Sequence, residues 1–170
     1  EGELKMARIT WDGRALEIED GTSLLMGALE AEIFVPHLCF HPALTAPALC
    51  RLCAIEVRDD DGWCLTTACD AQVEESMVVR TESEAVRQAR AAALEFQLVR
   101  HSLECPSCDK SGECELQEFS FAYGGEGPYV LPEKGVSEIR DLGNHVAIDP
   151  GKCIHCTRCV RFCAEVTGTE

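Results

Sequence analysis

The chain has 170 residues, 46% of them hydrophobic, a globular composition for one domain or two small ones. Thirty acidic against fifteen basic residues leave a formal charge of -15, which argues against nucleic acid or anionic lipid as a partner, and no uninterrupted apolar run is long enough to span a bilayer. Twelve cysteines lie in clusters behind an opening, EGELKMARITW, that has no apolar signal-peptide core, so they are expected to be thiols of a reducing compartment, with Met6 as the expected natural start.

Residues 6–18, MARITWDGRALEI, alternate apolar and polar about Asp12-Gly13, which predicts a hairpin of two strands. TSLLMGALEAE predicts a short amphipathic helix, capped by Thr22 or Ser23, with Leu24, Leu25 and Leu29 on its apolar stripe. LCAIEVRDDDGWCLTTAC gives two strand-like runs about DDDG, and MVVRT one more, so the helix is expected to pack on a small mixed sheet. From Thr81, TESEAVRQARAAALEFQLVRH predicts a long helix opened by a capping box of Thr81 and Glu84 and ending near His101. A second helix is predicted from about Glu113 through CELQEFSFAYG, followed by GGEGPYVLPEKG, whose glycines and prolines read as a linker. HVAIDPGKCIHCTRCVRFCAEVTGTE then predicts a short strand stopped at Pro150, a cysteine loop and a helix from about Thr157. None of these segments carries enough apolar sequence to build a large core alone, so metal centres are expected to take part in folding.

Cys153, Cys156, Cys159 and Cys163 are spaced C-x2-C-x2-C-x3-C, as in the 4Fe-4S loops of bacterial ferredoxins. There the last cysteine serves a neighbouring cluster and precedes proline; here Ala164 follows Cys163, whose role stays open. Cys39, Cys50, Cys53 and Cys69, at C-x10-C-x2-C-x15-C, resemble the plant-type 2Fe-2S layout with a longer first interval. Cys64 could replace Cys69 on counting alone. Cys69 is preferred because TTACDAQV sets it at a strand end facing a loop, whereas Cys64 falls within a strand and is expected to be a small buried hydrophobe.

The middle group, His101, Cys105, Cys108 and Cys114, is H-x3-C-x2-C-x5-C and by itself suits a zinc site of three cysteines and one histidine as well as an iron-sulfur site. The flanking motifs favour iron-sulfur, because an electron path gains from a third redox centre and nothing from redox-inert zinc. A neutral imidazole in place of a thiolate makes such a cluster less negative and raises its potential. His37, His41 and His155 sit beside cysteines and are expected to face solvent.

Taken in order, PHLCF with CRLC and TTAC, then HSLECPSCDKSGECELQ, then KCIHCTRCVRFCAEVTG closely resemble the N-terminal region of the large iron-sulfur subunit of respiratory complex I, NADH:quinone oxidoreductase. NAD-reducing hydrogenases and NAD-dependent formate dehydrogenases carry similar modules. The resemblance runs from Met6 over essentially the whole chain and implies an α+β fold in three parts. These are a 2Fe-2S ferredoxin-like β-grasp domain over 6–80, a small helical 4Fe-4S domain with one histidine and three cysteine ligands over 81–124, and a bacterial-ferredoxin-like 4Fe-4S segment over 125–170, expected to be incomplete. It implies a 2Fe-2S cluster on Cys39, Cys50, Cys53 and Cys69, and a 4Fe-4S cluster on His101, Cys105, Cys108 and Cys114. A second 4Fe-4S cluster is implied on Cys153, Cys156 and Cys159, with Cys163 and a residue farther along the family's chain as alternatives for its fourth ligand.

The resemblance further implies an electron-transfer subunit that takes electrons removed from NADH by a flavoprotein partner and relays them toward quinone. Its partners would be that flavoprotein and other iron-sulfur subunits, which would hold it on the cytoplasmic face of the inner membrane. No Gly-rich dinucleotide fingerprint follows a predicted strand, so no NADH or flavin site and no catalytic residue is expected in the chain itself. Two other readings stay open: an electron-entry module of an NAD-linked hydrogenase or formate dehydrogenase, and a zinc-stabilised interaction module.

Overall fold

In the computed structural model, which describes residues 5–125 and 138–169, the alternating first stretch forms β1 (Met6–Trp11) and β2 (Arg14–Glu19), antiparallel from Met6↔Glu19 to Trp11↔Arg14. Asp12 and Gly13 both take positive φ, 45° and 81°, the pair of left-handed residues that lets a two-residue turn follow the strand twist. Ala7, Ile9, Trp11, Leu16 and Ile18 are buried, as a period of two requires when one face of the sheet is covered.

The cover is α1 (Leu24–Glu30). Ser23, not Thr22, caps it, its Oγ accepting from the Met26 N–H at 3.2 Å. Leu24, Leu25, Gly27 and Ala28 turn inward, while Leu29, expected on the same stripe, is exposed. Gly27 is there because of close approach: a Cβ would stand 2.5 Å from Ile18 Cγ2, so the missing side chain sets how near the helix lies to β2.

β3 (Ala54–Asp59) and β4 (Gly62–Thr67) form the second hairpin, whose turn is held by Asp59 Oδ1 accepting from the N–H groups of Asp61 and Gly62, both at 2.9 Å. β5 (Val78–Arg80) enters between the hairpins, parallel to β1 and antiparallel to β3, giving the order β2-β1-β5-β3-β4. The core under this sheet draws all its buried residues from between Ala7 and Val79, so the expectation that no segment builds a core alone is corrected for the first one.

α2 (Glu84–Leu98) starts later than its predicted capping box. Thr81 is engaged elsewhere: its Oγ1 donates to Asp12 Oδ2 and its N–H to Asp12 Oδ1, both at 2.7 Å, which pins the end of β5 to the first hairpin turn. Ser83 takes the capping role, accepting from the Val86 N–H at 3.2 Å. Val86, Arg90 and Leu94, four residues apart, form the buried face of α2, which packs on β3 and on α3 (Glu115–Tyr123). The linker expected over 124–135 lies, from 126 onward, outside the described residues. A two-stranded ribbon, β6 (Arg140–Asp141) and β7 (Ala147–Ile148), precedes the last cysteine loop and α4 (Arg158–Phe162), which runs on into a wider turn over Cys163–Thr167. Among the described residues no helix is long and apolar enough to cross a membrane.

Candidate metal centres

The loop between α1 and β3 and the end of β4 deliver four of the cysteines into the interior. Cys39, Cys50, Cys53 and Cys69 are each at most 3% exposed, so this group is dry where an exposed thiol loop would be wet. They divide into pairs. Cys39 and Cys50 belong to a second core with Leu38, Leu52, Leu94, Leu116 and Phe119, whereas Cys53 and Cys69 belong to the core under the sheet. Backbone donors approach the first pair: the Leu38 N–H lies 3.4 Å from Cys50 Sγ and the Cys50 N–H 3.5 Å from Cys39 Sγ.

Each pair holds one thiol ready to ionise and one that resists. A hydrogen bond from Cys39, helped by the Leu38 and Leu52 amides, brings Cys50 down to about 5 against the cost of burial. Cys39 is pushed far up by the same bond and by burial. Cys53 bonding lowers Cys69, and Cys53 itself is raised by that bond and by burial. Two irons bridged by sulfide ask for two thiolates each, and the two-and-two division of these thiols fits that demand. Among the described residues no three His, Cys, Asp or Glu side chains gather as tightly as one metal ion needs. Cys64 does not join the group. It is exposed on β4, contrary to the buried position expected of it, because β4 is an edge strand whose Trp63, Cys64 and Leu65 are all left uncovered.

The middle group follows α2. Past its C-cap at Val99 the chain turns through His101, whose Nδ1 is shielded from solvent. Cys105 opens a single 3-10 turn over Cys105–Ser107, and the Cys108 N–H donates to the Cys105 carbonyl at 3.2 Å. Cys114 stands at the N-terminal boundary of α3. His101, Cys108 and Cys114 line one cleft of about 800 Å³, and Cys153 of the last group lines it too; Cys105 does not. The Ser102 N–H, donating to the Gly151 carbonyl at 2.7 Å, ties the two loops together.

The last group sits nearest the surface. Cys153 and Cys156 are half-buried, while Cys159 and Cys163 are exposed on α4 and the turn after it. Positive φ at His155 and Thr157, 51° and 56°, folds the loop tightly enough for the His155 N–H to lie 3.4 Å from Cys153 Sγ. Of the histidines expected in solvent, His41 and His155 are exposed. His37 is not: it is half-buried, bonded through Nδ1 to the Val35 carbonyl at 2.8 Å and set edge-on to Phe40.

Three family models match the chain in succession. One described as a 2Fe-2S iron-sulfur cluster binding domain covers residues 5–84, one for the NADH-ubiquinone oxidoreductase-G iron-sulfur binding region covers 90–127, and one for the ferredoxin-like domain of NADH-quinone oxidoreductase subunit 3 covers 143–170. The NADH-ubiquinone oxidoreductase 75 kDa subunit of Reclinomonas americana is 36% identical over 164 residues, 96% of this chain and 23% of the relative. The chain is similar to the iron-sulfur region of NADH-ubiquinone oxidoreductase G-type subunits. The mitochondrial 78 kDa subunit of Candida albicans is 39% identical over 168 residues, 97% of the chain and 23% of the relative, and the NADH-quinone oxidoreductase G-type subunit of Rickettsia bellii is 33% identical over 166 residues, 97% and 24%. The chain thus spans about a quarter of the length of these relatives. Among solved structures, an NAD+-reducing [NiFe]-hydrogenase in the H2-reduced state matches with a TM-score of 0.83 and 29% identity, over 92% of this chain and 65% of that one.

The three matched models account for a 2Fe-2S binding domain followed by 4Fe-4S binding regions on an α+β fold. Two features escaped the reading of residues alone. Cys114 and Cys156 both pack against the core that contains Cys39 and Cys50, so residues of all three cysteine groups meet in one apolar cluster. Arg158 and Arg161 then strap the last helix to the first cysteine loop, Arg158 donating to the Phe40 carbonyl at 2.9 Å and Arg161 to those of Thr45, at 2.6 Å, Cys39 and Cys156.

Proposed function

We propose that the chain is the relay portion of a complex I type NADH:quinone oxidoreductase, passing electrons that a flavoprotein partner removes from NADH toward quinone, with no substrate-binding site of its own. The ligand sets we infer are Cys39, Cys50, Cys53 and Cys69 for a 2Fe-2S cluster and His101, Cys105, Cys108 and Cys114 for a 4Fe-4S cluster. A second 4Fe-4S cluster takes Cys153, Cys156 and Cys159, with Cys163 as the fourth thiol this chain offers. Iron-sulfur clusters supply one-electron chemistry where they are bound. The chain's part is to hold them in thiolate sets, to keep water from the first set, and to place all three beside one another. The meeting of Cys39, Cys50, Cys114 and Cys156 at one apolar cluster carries this reading, because a zinc-stabilised fold has no need to bring three metal loops together. Partner subunits would supply the flavin and the membrane-peripheral position.

Iron and acid-labile sulfide analysis of chain purified anaerobically tests the proposal, with electron paramagnetic resonance of the dithionite-reduced sample. The expected result is both iron and sulfide, a two-iron signal lost in Cys69→Ser and kept in Cys64→Ser. Zinc without sulfide refutes the proposal. The hydrogenase likeness supports a second reading, the same relay feeding or draining a hydrogenase; H2-linked NAD reduction by the intact native assembly would select it.

A further inference from the structure

α2 buries a cation that holding the helix in place does not explain. Arg90 is 2% exposed, and its Nη2 donates at 3.1 Å to the carbonyl of Ala54, the residue directly after Cys53. Its guanidinium carbon stands 5.2 Å from the centre of the Tyr123 ring, and its Nε is buried without a hydrogen-bond partner among the described residues. The carboxylate facing it is Glu82 Oε1, 3.8 Å from Nη1 on a side chain that is 66% exposed. Burial works against the charge, and among the groups that work for it, with Tyr123, Glu82 and Asp12, is the Cys53 sulfur. A guanidinium does not give up its proton in a protein, so the desolvation cost stands uncompensated by any close, buried carboxylate among the described residues. Replacing such a cation by an apolar side chain is often neutral or stabilising, which makes its presence here a question of what it acts on.

We propose that Arg90 is a fixed positioning charge that acts through Cys53 to raise the reduction potential of the centre on Cys39, Cys50, Cys53 and Cys69. This rests on the 2Fe-2S assignment above. Reduction adds one electron and no proton to a centre already negative from its four thiolates; no bond forms or breaks. A buried positive charge favours the more negative state, and the low dielectric of the two flanking cores leaves that interaction weakly screened. The apolar shell alone would do the opposite, since burial disfavours added charge.

The test is a potentiometric titration of the cluster-loaded chain with dithionite and ferricyanide, the two-iron signal being read by electron paramagnetic resonance. Arg90→Met is expected to lower the reduced-to-oxidised ratio at a fixed potential at least tenfold, a shift of about 59 mV for one electron. Arg90→Lys, which keeps the charge, is expected to stay within about threefold of the unmodified chain. A ratio unchanged in Arg90→Met, or lowered equally in Arg90→Lys, overturns the proposal. Should Arg90→Met fail to fold, Arg90→Gln keeps a donor for the Ala54 carbonyl and removes the charge. The ratio should then fall as expected for Arg90→Met, and an unchanged ratio overturns the idea. An unmodified chain without any two-iron signal refutes the proposed function instead, a result distinguishable from all of these.

Discussion

Truncating Leu94 tests whether the second core holds the cysteine groups together. Leu94 is fully buried on α2, in one core with Leu38, Leu52, Leu116, Phe119, Cys39 and Cys50. Leu94→Ala removes three carbons, and at about 0.8 kcal/mol per buried methylene the transfer loss alone is about 2.4 kcal/mol. The cavity left behind brings the total into the range of about 2–5 kcal/mol. For a chain of this size each kcal/mol moves the melting temperature by about 2–4 °C, so a fall of about 4–20 °C is expected. Phe96, two residues along the same helix, is 80% exposed, and Phe96→Ala should stay within about 0.5 kcal/mol. Circular dichroism melts under argon at one scan rate compare the two, and visible absorbance follows cluster loss in the same samples. Because Leu94 shares one core with Cys39 and Cys50, bleaching should begin earlier in Leu94→Ala. Equal melts and equal bleaching in the two variants would refute the shared core.

Three further outcomes are expected. Glu56, largely covered, accepts from Arg80 Nε at 2.7 Å, and Arg80 first and then Ser83 hold its carboxyl below the usual range. The folded value is thus depressed, so this pair stabilises the fold above the ordinary carboxylate pKa of about 4.3 and the benefit is lost as pH falls. Melts between about pH 5 and pH 3 should therefore be less pH-dependent in Glu56→Gln than in the unmodified chain. Ser83→Ala should cost about 0.5–2 kcal/mol by losing the helix cap, while Thr81→Ser, which keeps the hydroxyl on Asp12, stays near the unmodified melting temperature. His101→Cys should retain a 4Fe-4S centre of lower reduction potential, and an unchanged redox titration would show that His101 is not the ligand.

What could be read from the residues is what local chemistry decides. Asp12-Gly13 forms its turn from its own backbone preferences, and the DDDG turn closes on a side chain within the same turn, so both hairpins were legible. The cap of α2 was not, because Thr81 and Ser83 are equally good acceptors until Asp12, 69 residues earlier, claims Thr81. Cys64 defeats the same method: its strand was legible, but whether an edge strand is covered depends on topology. Arg90 reads in RQARAAALEF as an ordinary solvated charge, and becomes buried only because α2 is caught between β3 and α3. Cys39, Cys50 and Cys53 were legible from spacing and Cys69 from its place at a strand end, whereas their division between two cores follows from the loop that wraps from α1 to β3.

On the proposed ligand set, that division ties assembly of the first centre to assembly of the fold. Cys50 and Cys69 are the members of each pair drawn toward the thiolate, while Cys39 and Cys53 are pushed the other way, one in each core. Binding a cluster through all four thiols, as proposed, would draw on both cores together and fasten the sheet to the helical part. Arg161 extends the coupling to the last group: its Nη2 donates to both the Cys39 and the Cys156 carbonyl, its Nη1 to Thr45, and its Nε to the Thr157 hydroxyl. Glu165 closes the clasp from the other side, accepting from the Thr45 N–H at 2.9 Å. A planar fork with several donors can hold two loops in fixed register, which a single ammonium on a flexible stem cannot. The most exposed cysteine loop is thus anchored to the most buried one through backbone carbonyls, which lets the last group keep its place beside the first with no core of its own among the described residues.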